Sequence, residues 1–168
     1  MNNPVDLATL NAVSVDRFVE ILGHVAEDSP DVARMAADRR PFADLDDLTA
    51  AFERALGGAD GGLQLAVLRA HPDLAGKLSM ADASRREQRG AGLDSLTGDE
   101  LRQFESLNAA YRERFGFPFI FAVRGATKHQ ILRAFETRLD RDVDVERQEA
   151  LSQVAKIMRW RLLDAVSS

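Results

Sequence analysis

Apolar residues along this chain recur three or four positions apart, and no stretch shows the convincing alternation of a half-buried strand. That spacing restricts the fold to helices joined by short loops. Ser14 can cap a helix carrying Val15, Phe18, Ile21, Leu22 and Val25. Leu45 to Leu56 is a second amphipathic stretch, closed by Gly57-Gly58. Leu63 to Ala70 is a third, apolar on most sides and therefore expected to be buried, and Pro72 ends it. Thr97-Gly98-Asp99-Glu100 has the form of a capping box before Leu101, Phe104, Asn108, Tyr111 and Phe115, and Gly116 stops that helix. Thr127 to Leu139 and Val145 to Val166 complete the set. The short apolar run Phe117 to Val123 is ambiguous by periodicity, but Pro118 argues against a central strand. The expectation is an all-α, single-domain compact helical bundle over residues 1–168.

Bulk properties narrow the function. A chain of 168 residues with 45% hydrophobic and 29% charged residues can bury a core and is not of the disordered class. No apolar run approaches the ~20 residues of a membrane span. Met1 to Ala8 carries Asp6 and no basic cluster, unlike a secretory signal, and Val166-Ser167-Ser168 is not a peroxisomal address. The absence of cysteine excludes disulfides, thiolate metal sites and a cysteine nucleophile, and it fits a cytoplasmic chain. A net charge of −5 with both signs interspersed argues against a nucleic-acid partner.

Four places could carry chemistry. His71 stands where an apolar helix breaks, in His71-Pro72-Asp73-Leu74-Ala75-Gly76. There it either interacts with a helix dipole or faces a cavity. The other histidines are less promising. His24 shares a helix face with Arg17, Glu20 and Asp28, and His129 has no acidic partner at useful spacing; no histidine pair has metal-ligand spacing. Ser84, Glu87 and Gln88 share one helix face, but Ser-x-x-Glu is also a plain capping box. Phe115 to Val123 holds four of the nine phenylalanines; it fills a core, or its irregular backbone offers N–H and C=O groups to a flat polar ligand. Arg161 falls on the apolar stripe Val154, Ile157, Met158, Ala165, where a guanidinium needs an anion from the protein or from a ligand.

Taken together and in order, these strings are specific. His71-Pro72-Asp73-Leu74-Ala75-Gly76, Glu87-Gln88 with Gly90-Ala91-Gly92-Leu93, Leu107-Asn108 with Tyr111, and Phe115-Gly116-Phe117-Pro118-Phe119 resemble the signature of the 2-oxo-4-hydroxy-4-carboxy-5-ureidoimidazoline (OHCU) decarboxylases. The likeness covers residues 10 to 165. The chain departs from the family at Asp31, where a tryptophan is common after Ser29-Pro30, and near Arg141, where an asparagine is common. The resemblance implies an all-helical homodimer, free of metal and organic cofactor, that decarboxylates a small ureidoimidazoline to (S)-allantoin in urate breakdown. It implies catalysis by His71 and Glu87. Substrate contacts would come from Pro72, Ser84, Gln88, the backbone of Phe119, Ile120, Phe121, Ala122 and Val123, and Arg161. Histidine suits such acid–base work because its ordinary pKa lies near neutrality. Two alternatives stay open on the residues alone: a non-catalytic helical interaction domain, and a lyase acting on another ureido compound.

Overall fold

The structure is a computed structural model that describes residues 4–76 and 82–168; the side chains of residues 82–84 also lie outside that description. Nine helices account for nearly all the regular structure among the described residues, so the all-α expectation holds. They are α1 (Leu7–Ala12), α2 (Val15–Leu22), α3 (Pro30–Ala37), α4 (Leu45–Gly58), α5 (Gly61–Ala70), α6 (Asp82–Gly90), α7 (Gly98–Phe115), α8 (Lys128–Leu139) and α9 (Val143–Ala165). The one sheet among the described residues is a parallel pair of two-residue strands, β1 (Val5–Asp6) and β2 (Val166–Ser167). No described helix is long and apolar enough to cross a membrane.

The helix boundaries follow local chemistry. Ser14 accepts a hydrogen bond from the Arg17 N–H at 3.2 Å, as an N-cap should. Thr97 and Glu100 form a reciprocal capping box, and so do Thr127 and Gln130. Gly116 closes α7 at φ +77, in the left-handed region that glycine enters without a Cβ penalty. Helices α1 and α3 are not in the set expected from spacing. Asp6 caps the first through the Thr9 N–H at 2.8 Å, and Pro30 at the first turn opens the other.

The chain forms two compact units. The first comprises residues 1–70 and 154–168. Its core centres on Phe18, whose ring lies 6.1 Å from Phe42 and 6.2 Å from Phe52. Helix α3 packs on both α2 and α4 in this unit. Helix α5 is less buried than its composition suggests: Val67 and Leu68 are inside, while Leu63 and Leu65 are half-buried and Ala66 is exposed. A ten-residue helix that packs along one edge leaves its other apolar positions near water.

The second unit comprises residues 71–153 and holds the His71 turn, α6 to α8 and the first half of α9. Tyr111 on α7 is its centre. It is fully buried, with its ring 4.5 Å from Phe115, 5.8 Å from Phe117, 5.4 Å from Phe119 and 6.0 Å from Phe135. Phe119 stacks on Phe135 of α8 with centroids 3.8 Å apart. The segment Phe117 to Val123 is neither helix nor strand, as Pro118 led us to expect.

Candidate active site

His71 is buried, at 4% exposure, in the turn that begins the second unit. Three side chains fasten this turn. Gln88 on α6 accepts a hydrogen bond from the Ala75 N–H at 2.9 Å. Asn108 on α7 donates to the Leu74 carbonyl at 2.9 Å, and Arg112, one turn further on, pairs with Asp73 at 2.8 Å. A loop with buried backbone must find such partners, because orphaned peptide groups are costly. The turn also holds Ala75 at φ +57, a conformation that costs an L-residue roughly 1–2 kcal/mol. The Gln88 bond to its N–H is what keeps that residue there.

Gln88 is therefore part of the scaffold of the histidine turn, whatever else it does. Glu87, next to it on α6, is half-buried. Ser84 lies inside α6, so Ser84 and Glu87 do not make an N-terminal capping box; the Ser84 side chain is outside the described residues. His129, on the first turn of α8, is exposed. His24 is exposed too, but it sits in the turn after α2, which stops at Leu22, and not on the helix face expected from spacing. Among the described residues no three His, Asp or Glu side chains are grouped so as to hold a metal ion.

The phenylalanine-rich segment supplies core side chains from an irregular backbone. Phe117 and Phe119 are core side chains, as the packing reading has it. The backbone that carries them is irregular and is held by side chains. Arg138 on α8 donates to the Ile120 carbonyl at 2.8 Å, and Gln153 on α9 accepts from the Ala122 N–H at 2.9 Å. Arg138 is itself buried at 3% exposure, with its guanidinium 4.3 Å above the Phe119 ring. Its charge is met by Glu146, fully buried, at 2.7 Å from Nε and 2.6 Å from Nη2. The Tyr111 hydroxyl donates to the same carboxylate oxygen at 2.5 Å. Burial, then that bond to a negative oxygen, push the Tyr111 pKa far up.

Sequence reasoning missed this centre. One signal was present: Arg138 lies on the apolar stripe Ile131, Leu132, Phe135, as Arg161 does on its own stripe. Arg141 sits 3.9 Å from Glu146 and 3.7 Å from Glu149, so it adds positive charge beside the buried carboxylate. An open groove of about 570 Å³ runs past Phe121, Arg133, Arg138, Arg141 and Gln153, and His71 does not line it.

Arg161, in the first unit, has found a protein anion. It is 5% exposed and pairs with Glu27 at 2.8 Å, with a long contact of 3.4 Å to the Val25 carbonyl.

A buried histidine on a fastened turn, in an all-helical chain, is compatible with the class of small helical enzymes. Comparison with known proteins narrows it. The OHCU decarboxylase family profile matches residues 11–163. The 2-oxo-4-hydroxy-4-carboxy-5-ureidoimidazoline decarboxylase of Haloferax volcanii is 43% identical over 162 residues, 96% of each chain. Among solved structures, an (S)-allantoin synthase superposes with a TM-score of 0.81 at 33% identity over 98% of this chain. This chain spans 55% of that protein's length. An OHCU decarboxylase crystallised in the presence of (S)-allantoin gives 0.69 at 20% identity, a likeness of fold. The chain belongs to the OHCU decarboxylase family.

Proposed function

We propose that this protein decarboxylates 2-oxo-4-hydroxy-4-carboxy-5-ureidoimidazoline to (S)-allantoin, with His71 as the acid–base group. The observation that carries the reading is a buried histidine, inside the His-Pro-Asp-Leu-Ala string, on a turn fastened at Asp73, Leu74 and Ala75.

The chemistry asks little beyond proton control. The substrate carries a carboxylate and a hydroxyl on one ring carbon, beside a C=N carbon that bears the ureido group. Cleavage of the bond to CO₂ releases an electron pair that forms a ring C=C bond, while the C=N pair moves to nitrogen, which takes a proton. The product of that step is an enol. Loss of its hydroxyl proton and protonation of the ureido-bearing carbon on one face give a single enantiomer. The imine is the electron sink, so the reaction needs no organic cofactor.

His71 moves the proton, with Glu87 orienting the imidazole. Pro72 packs on the flat ring, Ser84 and Gln88 meet its polar groups, and backbone groups of Phe119, Ile120, Phe121, Ala122 and Val123 hold it. Arg161 ranks last: its charge is already met by Glu27, and firm binding of the departing carboxylate would oppose its loss. The homodimer and the cytoplasmic location belong to the same reading.

The test uses the substrate generated in solution from urate by the upstream enzymes, with CO₂ release and optical rotation followed together. Wild type should release CO₂ and build rotation, and His71→Ala should do neither while remaining folded. A His71→Ala protein with near-native turnover would overturn the mechanism, and CO₂ release without rotation would overturn the stereochemical part.

A further inference from the structure

We infer that Arg138 and Gln153 are positioning residues that turn the backbone of Phe121 into the element that reads the substrate's polar edge. The inference rests on the functional reading above, because it takes the 119–123 segment as substrate-binding, and it says how that segment is made to bind.

The argument starts from the geometry of two peptide groups. The Ile120 carbonyl is fixed by Arg138 Nη1 at 2.8 Å, and the Ala122 N–H is fixed by Gln153 Oε1 at 2.9 Å. A trans peptide is planar, with its C=O and N–H pointing in opposite directions. Fixing the Ile120 carbonyl toward Arg138 therefore turns the Phe121 N–H away from Arg138. Fixing the Ala122 N–H toward Gln153 turns the Phe121 carbonyl away from Gln153. One residue is left presenting a donor and an acceptor, both directed away from their clamps. Among the described residues neither of these two groups has a hydrogen-bond partner. Phe121 is half-buried, so the pair is within reach of a ligand.

A donor and an acceptor on one residue match a cyclic amide or ureido edge, which offers a carbonyl and an N–H side by side. The substrate class proposed above has such edges.

The clamps are unusually stiff. Arg138 cannot turn without leaving Glu146, which is fully buried and also bonded to Tyr111, and its guanidinium rests on Phe119. The Gln153 amide is fixed as to which end points where, because its Nε2 donates to Glu149 at 2.7 Å while its oxygen takes the Ala122 N–H. Rigid support of this kind is what a recognition element requires, since slack in the support is slack in the contact.

A contact to an edge that the reaction leaves unchanged stabilises ground and transition states alike, so its loss should appear in KM and not in kcat. Gln153→Leu removes the acceptor for the Ala122 N–H. Arg138→Lys keeps the charge but cannot serve Glu146 and the Ile120 carbonyl together. Each should raise KM, and the Kd for (S)-allantoin, about tenfold, the worth of roughly one hydrogen bond, with kcat within about twofold of wild type. The double variant Gln153→Glu/Glu149→Gln, which keeps the acceptor for the Ala122 N–H and lets the new amide at 149 donate to it, should restore most of the affinity. If Arg138→Lys does not fold, the Gln153 pair decides alone. Wild type that turns over, with variants that melt lower but keep KM and Kd, overturns the inference and leaves the functional reading intact. A fall in kcat at constant KM overturns it as well. Wild type that neither releases CO₂ from the compound nor binds (S)-allantoin overturns both.

Discussion

Two arginines of this protein are buried to nearly the same degree, one in each unit, and each pairs with a carboxylate and a backbone carbonyl. The resemblance is instructive because the two clamps are not equally tight. Arg138 meets one oxygen of Glu146 through two nitrogens, at 2.7 and 2.6 Å, and holds the Ile120 carbonyl at 2.8 Å. Arg161 lies 2.8 Å from Glu27, and its carbonyl contact to Val25 is longer, at 3.4 Å. The carboxylates differ too. Glu146 has no exposure and accepts a further hydrogen bond from Tyr111, whereas Glu27 keeps 7% exposure and stands at φ +51, where a residue with a Cβ is strained. A buried ion pair is a poor source of net stability, since desolving two charges offsets their attraction. What it does supply is a fixed geometry. Arg138 applies it to the backbone of the 119–123 segment at 2.8 Å, while the backbone carbonyl that Arg161 reaches lies further off, at 3.4 Å.

The comparison breaks most visibly under removal of the guanidinium. Arg138→Met should cost about 3–5 kcal/mol in chemical denaturation, because it strands a carboxylate that no water reaches. Arg161→Met should cost nearer ~2 kcal/mol, since the released Glu27 can turn to solvent and leave its strained backbone conformation. Equal losses would mean that the two clamps are energetically alike. Tyr111→Phe comes next. It keeps the ring stack but deletes the bond to Glu146, and should cost ~1.5 kcal/mol, in the range for a hydrogen bond to a charged group. A loss above that of Arg138→Met would make the tyrosine, and not Arg138, the main partner of the carboxylate.

Much of this architecture is legible in the sequence, and the parts that are not share a cause. The capping chemistry of Ser14 and Thr97, the stop at Gly116 and the break before Pro72 are local, spanning three or four residues, and each is found where spacing places it. The histidine turn is legible as a string, but its fasteners are not. Asn108 and Arg112 reach it from 34 and 39 positions away, and nothing in their spacing says so. Glu146 is the plainest case. It lies in Asp142-Val143-Asp144-Val145-Glu146-Arg147, where the neighbouring valines are half exposed and the acid is the buried residue. A charge run there reads as a wet surface, and only the tertiary partners Tyr111 and Arg138 reverse it. Arg138 itself was readable by the rule that singled out Arg161, a cation on an apolar stripe.

The smallest effect separates the two clamps by pH. Each has a titratable neighbour, and the two titrate at opposite ends of the scale. Near Arg161 stands His24, whose pKa is lowered by partial withdrawal from water and then by the Arg161 charge, against weaker upward pulls from the Ile21 backbone and Glu27. The folded state thus binds a proton at His24 less readily than the unfolded chain does. The stability this leaves is present above the ordinary histidine pKa of about 6.5 and is lost as pH falls below it. Near Arg138 stands Tyr111, whose pKa is raised. There the unfolded chain gives up its proton first, so the contribution is present below the ordinary tyrosine pKa of about 10 and is lost as pH rises beyond it. Melting temperatures should therefore fall between about pH 7.5 and about pH 5 by more in wild type than in His24→Gln, carboxylate protonation being common to both. Above about pH 10 the order of interest changes, and wild type should lose more than Tyr111→Phe. If His24→Gln loses as much as wild type on the acid side, neither burial nor Arg161 lowers the pKa of the histidine. The first clamp would then have no titrating neighbour, and acid would act on this unit through its carboxylates alone.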